Sequence, residues 1–208
     1  MTSDTKPFPV VVLLGDSIRL GYAPLVAQRL SSQPLASVLS YEPNGADTAN
    51  TLTNLAAWAI APQPRVIHFN CGLHDLKLDR ATGAYQVPLD RYRANLEEIV
   101  RRLRAETDAA LIFATTTPIL DARHAARGAS FDRFQADVER YNVAALDVMT
   151  SADVPVNDLH AAVQAAGPDR LLSADGTHYA PEGYALLADT VAAVVNHTLT
   201  SSRSAAVA

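Results

Sequence analysis

The stretch VVVLLGDSIRLGY, residues 10–22, runs branched apolar side chains straight into Gly15-Asp16-Ser17 and then resumes a pattern that reads as a helix. An unbroken run of Val and Leu, without apolar/polar alternation, suits a strand buried on both faces. Four further runs share that character, at about 36–41, 65–70, 109–116 and 154–157, each bounded by turn residues. Helical patterns lie between them, at about 22–31, 47–59, 131–151 and 181–199, the last opening on Pro181. The clearest is VPLDRYRANLEEIVRRLRAET, where Leu89, Tyr92, Leu96, Ile99, Val100 and Leu103 recur at three- and four-residue steps. Alternating buried strands and helices predict an α/β fold with a doubly wound, five-stranded parallel sheet covered on both faces. In such sheets ligands bind beyond the carboxyl ends of the strands.

The composition sets the class. The chain has 208 residues, 49% hydrophobic and 19% charged, which is ordinary for a globular protein, and no composition shift divides it. Residues 1–208 are therefore expected to form one domain, with a small, polar, frayed tail from about 200 to 208. A net charge of −5 and no Lys/Arg run give no footprint for nucleic acid or an anionic membrane. No apolar run reaches membrane-spanning length, the start lacks the features of a signal peptide, and Cys71 is the single cysteine. A cytoplasmic location is the expectation. Nothing in the sequence encodes an oligomeric state.

Ser17 falls just past the first strand, where a hydroxyl and a backbone N–H can face the ligand crevice together. A plainer account has Ser17 capping the next helix and Gly15 easing the turn. A serine nucleophile needs a base, a group to orient the base, and donors for an oxyanion. SADGTHYAPEGY supplies Asp175 and His178, three residues apart, in a loop before the last helix. Asn44 and Gly45 follow the second strand, while VIHFNCGLHDLK puts Asn70, Cys71, Gly72, His74 and Asp75 past the third.

These blocks make the sequence resemble the SGNH-hydrolase family, the GDSL-type lipases and esterases. Gly15-Asp16-Ser17 matches the first block, Asn44-Gly45 the second, Gly72-Leu73-His74-Asp75 the third and Asp175-Gly176-Thr177-His178 the last. The resemblance implies a three-layer α/β/α, flavodoxin-like hydrolase in which Ser17 attacks an acyl carbonyl, His178 is the base and Asp175 orients it. It implies no cofactor and no metal, and an oxyanion hole from the N–H groups of Ser17 and Gly45 plus a side chain of the third block. The family's usual Asn is replaced there by His74. An imidazole can donate if the correct nitrogen carries the proton. His74 is therefore the expected donor, Asn70 the less favoured one, and Asp75 the residue that steadies the loop.

Other readings attach to the same residues. Cys71 and His74 suggest a cysteine nucleophile, although a cysteine beside a buried strand is usually a core residue. His68, His74, Asp16, Asp75, Asp175 and His178 suggest a metallophosphoesterase, but their spacing specifies no ligand set, and His68 alternates inside a strand as a core residue would. A non-catalytic glycan- or acyl-binding module on the same fold is the alternative to an enzyme. The connection TPILDARHAARGASFDRF follows the fourth strand and is placed to act as a lid, with Arg123, His124 and Arg127 facing either a substrate or solvent. The expected substrate is a small-molecule, short-chain ester, acetyl by analogy, of a carbohydrate or small alcohol.

Overall fold

The computed structural model describes residues 8–31 and 36–205. Five parallel strands, β1 (Val10–Leu14), β2 (Ser37–Ser40), β3 (Val66–Phe69), β5 (Ala110–Ala114) and β7 (Val156–Asn157), form one sheet in the order β2-β1-β3-β5-β7. Register aligns Leu14 with Phe69 and Phe69 with Phe113, so the strands end together and their following loops share one edge. From β1 the chain turns to one side for β2 and to the other for β3, which opens the ligand crevice between β1 and β3.

Helices cover both faces. α1 (Ser17–Ser31) packs against α8 (Pro181–Ala205), which also packs against α6 (Leu159–Ala166). α2 (Thr48–Leu55), continued by a π-turn over Ala56–Ile60, packs against α3 (Leu89–Glu106), and α3 against α5 (Gln135–Ser151). α3 buries the periodic stripe read from its sequence: Tyr92, Leu96, Ile99, Val100 and Leu103. Val11, Val12, Leu13, Leu14, Ile67 and Phe69 are almost fully enclosed, as expected for strands covered on both faces.

Several boundaries differ from the sequence reading. α1 begins at Ser17 rather than near residue 22, because Asp16 caps it: Asp16 Oδ1 accepts the Ile18 N–H at 2.9 Å. α8 runs to Ala205, past the tail expected to fray from about 200, anchored by buried Val195 and Leu199; residues 206–208 lie outside the described residues. The connection after β5 is not a bare loop. It holds α4 (Asp121–Ala126) and β6 (Phe131–Asp132), and β6 pairs antiparallel with β4 (Leu78–Asp79). α6 and the short α7 (Pro168–Leu171) also had no counterpart in the sequence reading. Among the described residues, no helix is long and apolar enough to cross a membrane.

Candidate active site

The opening turn is explained by its three residues separately. Gly15 lies so close under the Asn70 carboxamide that a Cβ there would collide with it. Because Asp16 takes the capping role at α1, the Ser17 hydroxyl is free, and it meets His178 Nε2 at 2.9 Å. The Ser17 N–H is in the first helical turn, where no intrahelical acceptor exists.

Asp175 and His178 sit in the loop before α8. His178 Nδ1 donates to Asp175 Oδ2 at 2.6 Å, which leaves Nε2 as the acceptor for the serine hydroxyl. The other oxygen, Asp175 Oδ1, accepts from the Ser173 hydroxyl and from the N–H groups of Thr177 and His178 at 2.8–2.9 Å. Burial acts to raise the Asp175 pKa, but these hydrogen bonds, led by that of the His178 side chain, outweigh it and hold the carboxyl well below the usual range. The loop is braced from outside by Leu120 N–H to Gly176 O at 2.9 Å and by His124 Nδ1 against Thr177 Oγ1 at 3.1 Å.

The second block is tied to the first at a single atom. Gly15 O accepts from the Gly45 N–H at 2.9 Å and from Arg19 Nη2 at 2.9 Å. A Cβ on Gly45 would come within 2.6 Å of that oxygen, so only glycine allows the approach. This corrects the expectation for Gly45: its N–H is spent inside the protein and is not presented to a substrate. The next N–H, of Ala46, is likewise turned onto Asn44 Oδ1 at 2.8 Å, with Ala46 in the left-handed region at φ 53°. Arg19 completes the tie through bonds to Ser40 Oγ and Tyr41 O, each at 2.7 Å, and to Pro43 O at 3.2 Å. It is buried, and sequence reasoning left it outside the site.

In the third block, Lys77 Nζ lies 3.0 Å from His74 Nδ1. A lysine ammonium only donates, so Nδ1 is the acceptor and the neutral imidazole carries its proton on Nε2. Burial, together with the Lys77 charge, pushes the His74 pKa down to about 4, which keeps the ring neutral near pH 7. No hydrogen bond within the described residues engages Nε2. Asp75 Oδ1 accepts the N–H of Thr48 at 2.9 Å and its hydroxyl at 2.5 Å, fixing the block to the start of α2. Burial pushes the Asp75 pKa up to about 7. Asn70 lies against Gly15, its Oδ1 buried without a partner.

The rival arrangements are not brought together. Cys71 is fully buried, its thiol 3.6 Å from Thr51 Oγ1, and burial holds its pKa well above the ordinary value. His68 accepts from Asn157 Nδ2 at 3.1 Å inside the core. Among the described residues, no His, Cys, Asp or Glu group is arranged to hold a metal ion. Arg123 faces Leu172 O and Asp169 rather than the crevice, and His124 is buried against Thr177.

Hydroxyl, imidazole and carboxylate thus lie in series beyond the carboxyl edge of a parallel sheet, an arrangement suited to acyl transfer by a hydrolase. Residues 13–186 match the family described as "GDSL-like Lipase/Acylhydrolase family", and the chain belongs to that family of esterases and acylhydrolases. It is 28% identical over 201 residues to the isoamyl acetate-hydrolyzing esterase 1 homolog of Rattus norvegicus, covering 85% of this chain and 77% of the relative. Among solved structures, a lipase/acylhydrolase from Enterococcus faecalis superposes with a TM-score of 0.78 at 24% identity, covering 91% of this chain and 96% of that one. An acetylxylan esterase from Geobacillus stearothermophilus superposes with a TM-score of 0.71 at 18% identity, covering 89% and 93%. These two likenesses show the shared fold.

Proposed function

We propose that the chain, as one domain over residues 1–208, is a serine esterase that cleaves short-chain acyl esters, acetyl esters foremost, through Ser17, His178 and Asp175. The observation that carries this reading is the hydrogen-bond series from Ser17 Oγ to His178 Nε2 and from His178 Nδ1 to Asp175. Ser17 Oγ attacks the ester carbonyl as its proton passes to His178 Nε2. The imidazolium, stabilised by Asp175, gives that proton to the departing alkoxide and leaves an acyl group on Ser17. Water then enters, loses a proton to His178, attacks the acyl carbon and releases the acid, and Ser17 recovers its proton.

The oxyanion formed in each half is held by the Ser17 N–H and by His74 Nε2–H, the donor that stands where the family has asparagine. Lys77 assigns the proton to that nitrogen, while Gly45 serves by holding the second block against Gly15. The rat relative is named as a homolog of an isoamyl acetate-hydrolyzing esterase, and this favours an acetyl group here. Hydrolysis of p-nitrophenyl acetate, butyrate and octanoate by the wild type and by Ser17→Ala tests the reading, with fluorophosphonate labelling mapped by mass spectrometry. Turnover and label should both depend on Ser17, with acetate preferred. Activity that survives in Ser17→Ala would refute the assignment.

A further inference from the structure

The wall of the crevice beside His74 carries two cations, Arg133 and Lys77, that form no direct ion pair among the described residues. Arg133 precedes α5 and is only 5% exposed. Its Nε donates to Leu73 O at 2.6 Å, one residue before His74. Its Nη1 and Nη2 have no partner among the described residues, and neither is among the fully enclosed unpartnered atoms, so both open toward solvent. Both cations meet Phe131: Lys77 Nζ and Arg133 Cζ are each 4.9 Å from the centre of that ring. Among the described residues neither cation has a carboxylate within 4.0 Å, and Arg127 approaches Asp175 at 3.9 Å.

The neighbouring acids are committed elsewhere. Asp175 holds His178, Asp75 holds Thr48, Asp132 pairs with Arg80, and Asp47 caps α2 and accepts from Gln86. The exception is Asp16, which caps α1 with Oδ1 and keeps Oδ2 enclosed without a partner. Enclosing a guanidinium without a direct ion pair is costly, and here burial pushes the Arg133 pKa down to about 10 against the opposing charges of Asp16 and Asp175. An arriving anion relieves that cost, and the two free guanidinium NH2 groups suit a planar carboxylate.

We propose that Arg133, with Lys77 beside it, forms a subsite for a carboxylate carried by the ester substrate. This rests on the esterase reading and narrows its substrate class to anionic esters, with the charge on either the alcohol or the acyl side of the scissile bond.

Phenyl acetate, 3-acetoxybenzoate and its neutral methyl ester compare the alcohol side; p-nitrophenyl acetate and p-nitrophenyl hemisuccinate compare the acyl side. In the wild type, one anionic ester should exceed its neutral counterpart in kcat/KM by about tenfold or more, the size expected of one charge-assisted contact. The preference should fall toward unity in Arg133→Gln and partly return in Arg133→Lys, and raised salt should erode it. Because the readout is a ratio within each protein, general loss of activity in a variant does not mimic the effect. Calorimetric binding of 3-acetoxybenzoate and of hemisuccinate ester to Ser17→Ala, with and without Arg133→Gln, reads the subsite without turnover. Ser17-dependent hydrolysis of neutral esters with no anionic preference would overturn the subsite and leave the esterase standing. If no ester is turned over, the esterase reading fails, and the calorimetric comparison alone decides the subsite.

Discussion

Replacing His74 separates its proposed role from a merely structural one. His74→Ala removes the only side-chain donor assigned to the oxyanion, and loss of one such donor costs about 3 kcal/mol, or roughly a hundredfold in kcat. The structure narrows that expectation. With its pKa pushed to about 4, His74 acts as a neutral N–H donor, so the loss belongs at the modest end of the range for oxyanion donors. For the same reason the ratio of wild-type to variant kcat should stay flat between about pH 6 and 9, where the state of the ring does not change. KM should move little, because the contact strengthens only as the carbonyl oxygen becomes charged. His74→Asn puts a non-titrating amide donor in its place and should recover much of the lost rate. The assay is steady-state hydrolysis of p-nitrophenyl acetate across that pH range, with denaturant unfolding of each variant to check the fold. Unchanged kcat, a loss confined to KM, or a ratio that bends near pH 6.5 would refute the reasoning.

Other expectations follow from the same contacts. Asp175→Asn removes the carboxylate that fixes the His178 tautomer and should lower kcat by about 10³–10⁴-fold with little change in the fold, checked by kinetics alongside circular dichroism. Arg19→Met removes four hydrogen bonds and should cost about 2–4 kcal/mol in urea unfolding; a loss below about 1 kcal/mol would mean that water substitutes for the guanidinium. Asp75 has a folded pKa of about 7 against 3.8 for the free group, so it binds its proton more tightly when folded. Its favourable contribution is complete below about pH 3.8 and is lost as pH rises through 7. Asp75→Asn should therefore gain on the wild type over that interval, by up to about 4 kcal/mol for some three pK units, and parallel unfolding curves at pH 5 and pH 8 would exclude it.

The sheet was legible because each strand is an apolar run between turn residues, and α3 because its stripe keeps helical spacing. Both signals are local. β4 and β6 were not legible, since each is two residues long and they pair across more than fifty residues of chain. α1 was read as starting late because Gly21 and Pro24 weaken its pattern; the close seat of Tyr184 against Gly21 compensates in the fold. In the site, Ser17, Asp175 and His178 could be placed from strand-end position and motif. The commitment of the Gly45 N–H could not, because it depends on where the Gly15 carbonyl points. The His74–Lys77 contact joins residues three apart and was within reach of the sequence. Arg133 was not, since its acceptor, Leu73 O, lies sixty residues earlier.

The segment from Pro118 to Phe134 has two duties at once. Through Leu120 and His124 it supports the loop that carries His178, and through Phe131 and Arg133 it walls the crevice. Selectivity and chemistry therefore share one piece of scaffold. A lineage or a designer seeking a new substrate has freedom in the side chains at 131 and 133, but little in the length of the segment. Inserting or deleting residues there would shift Gly176 and Thr177 and misalign the imidazole before any new substrate could profit. Diversification in this protein is thus channelled toward point substitution on a fixed frame.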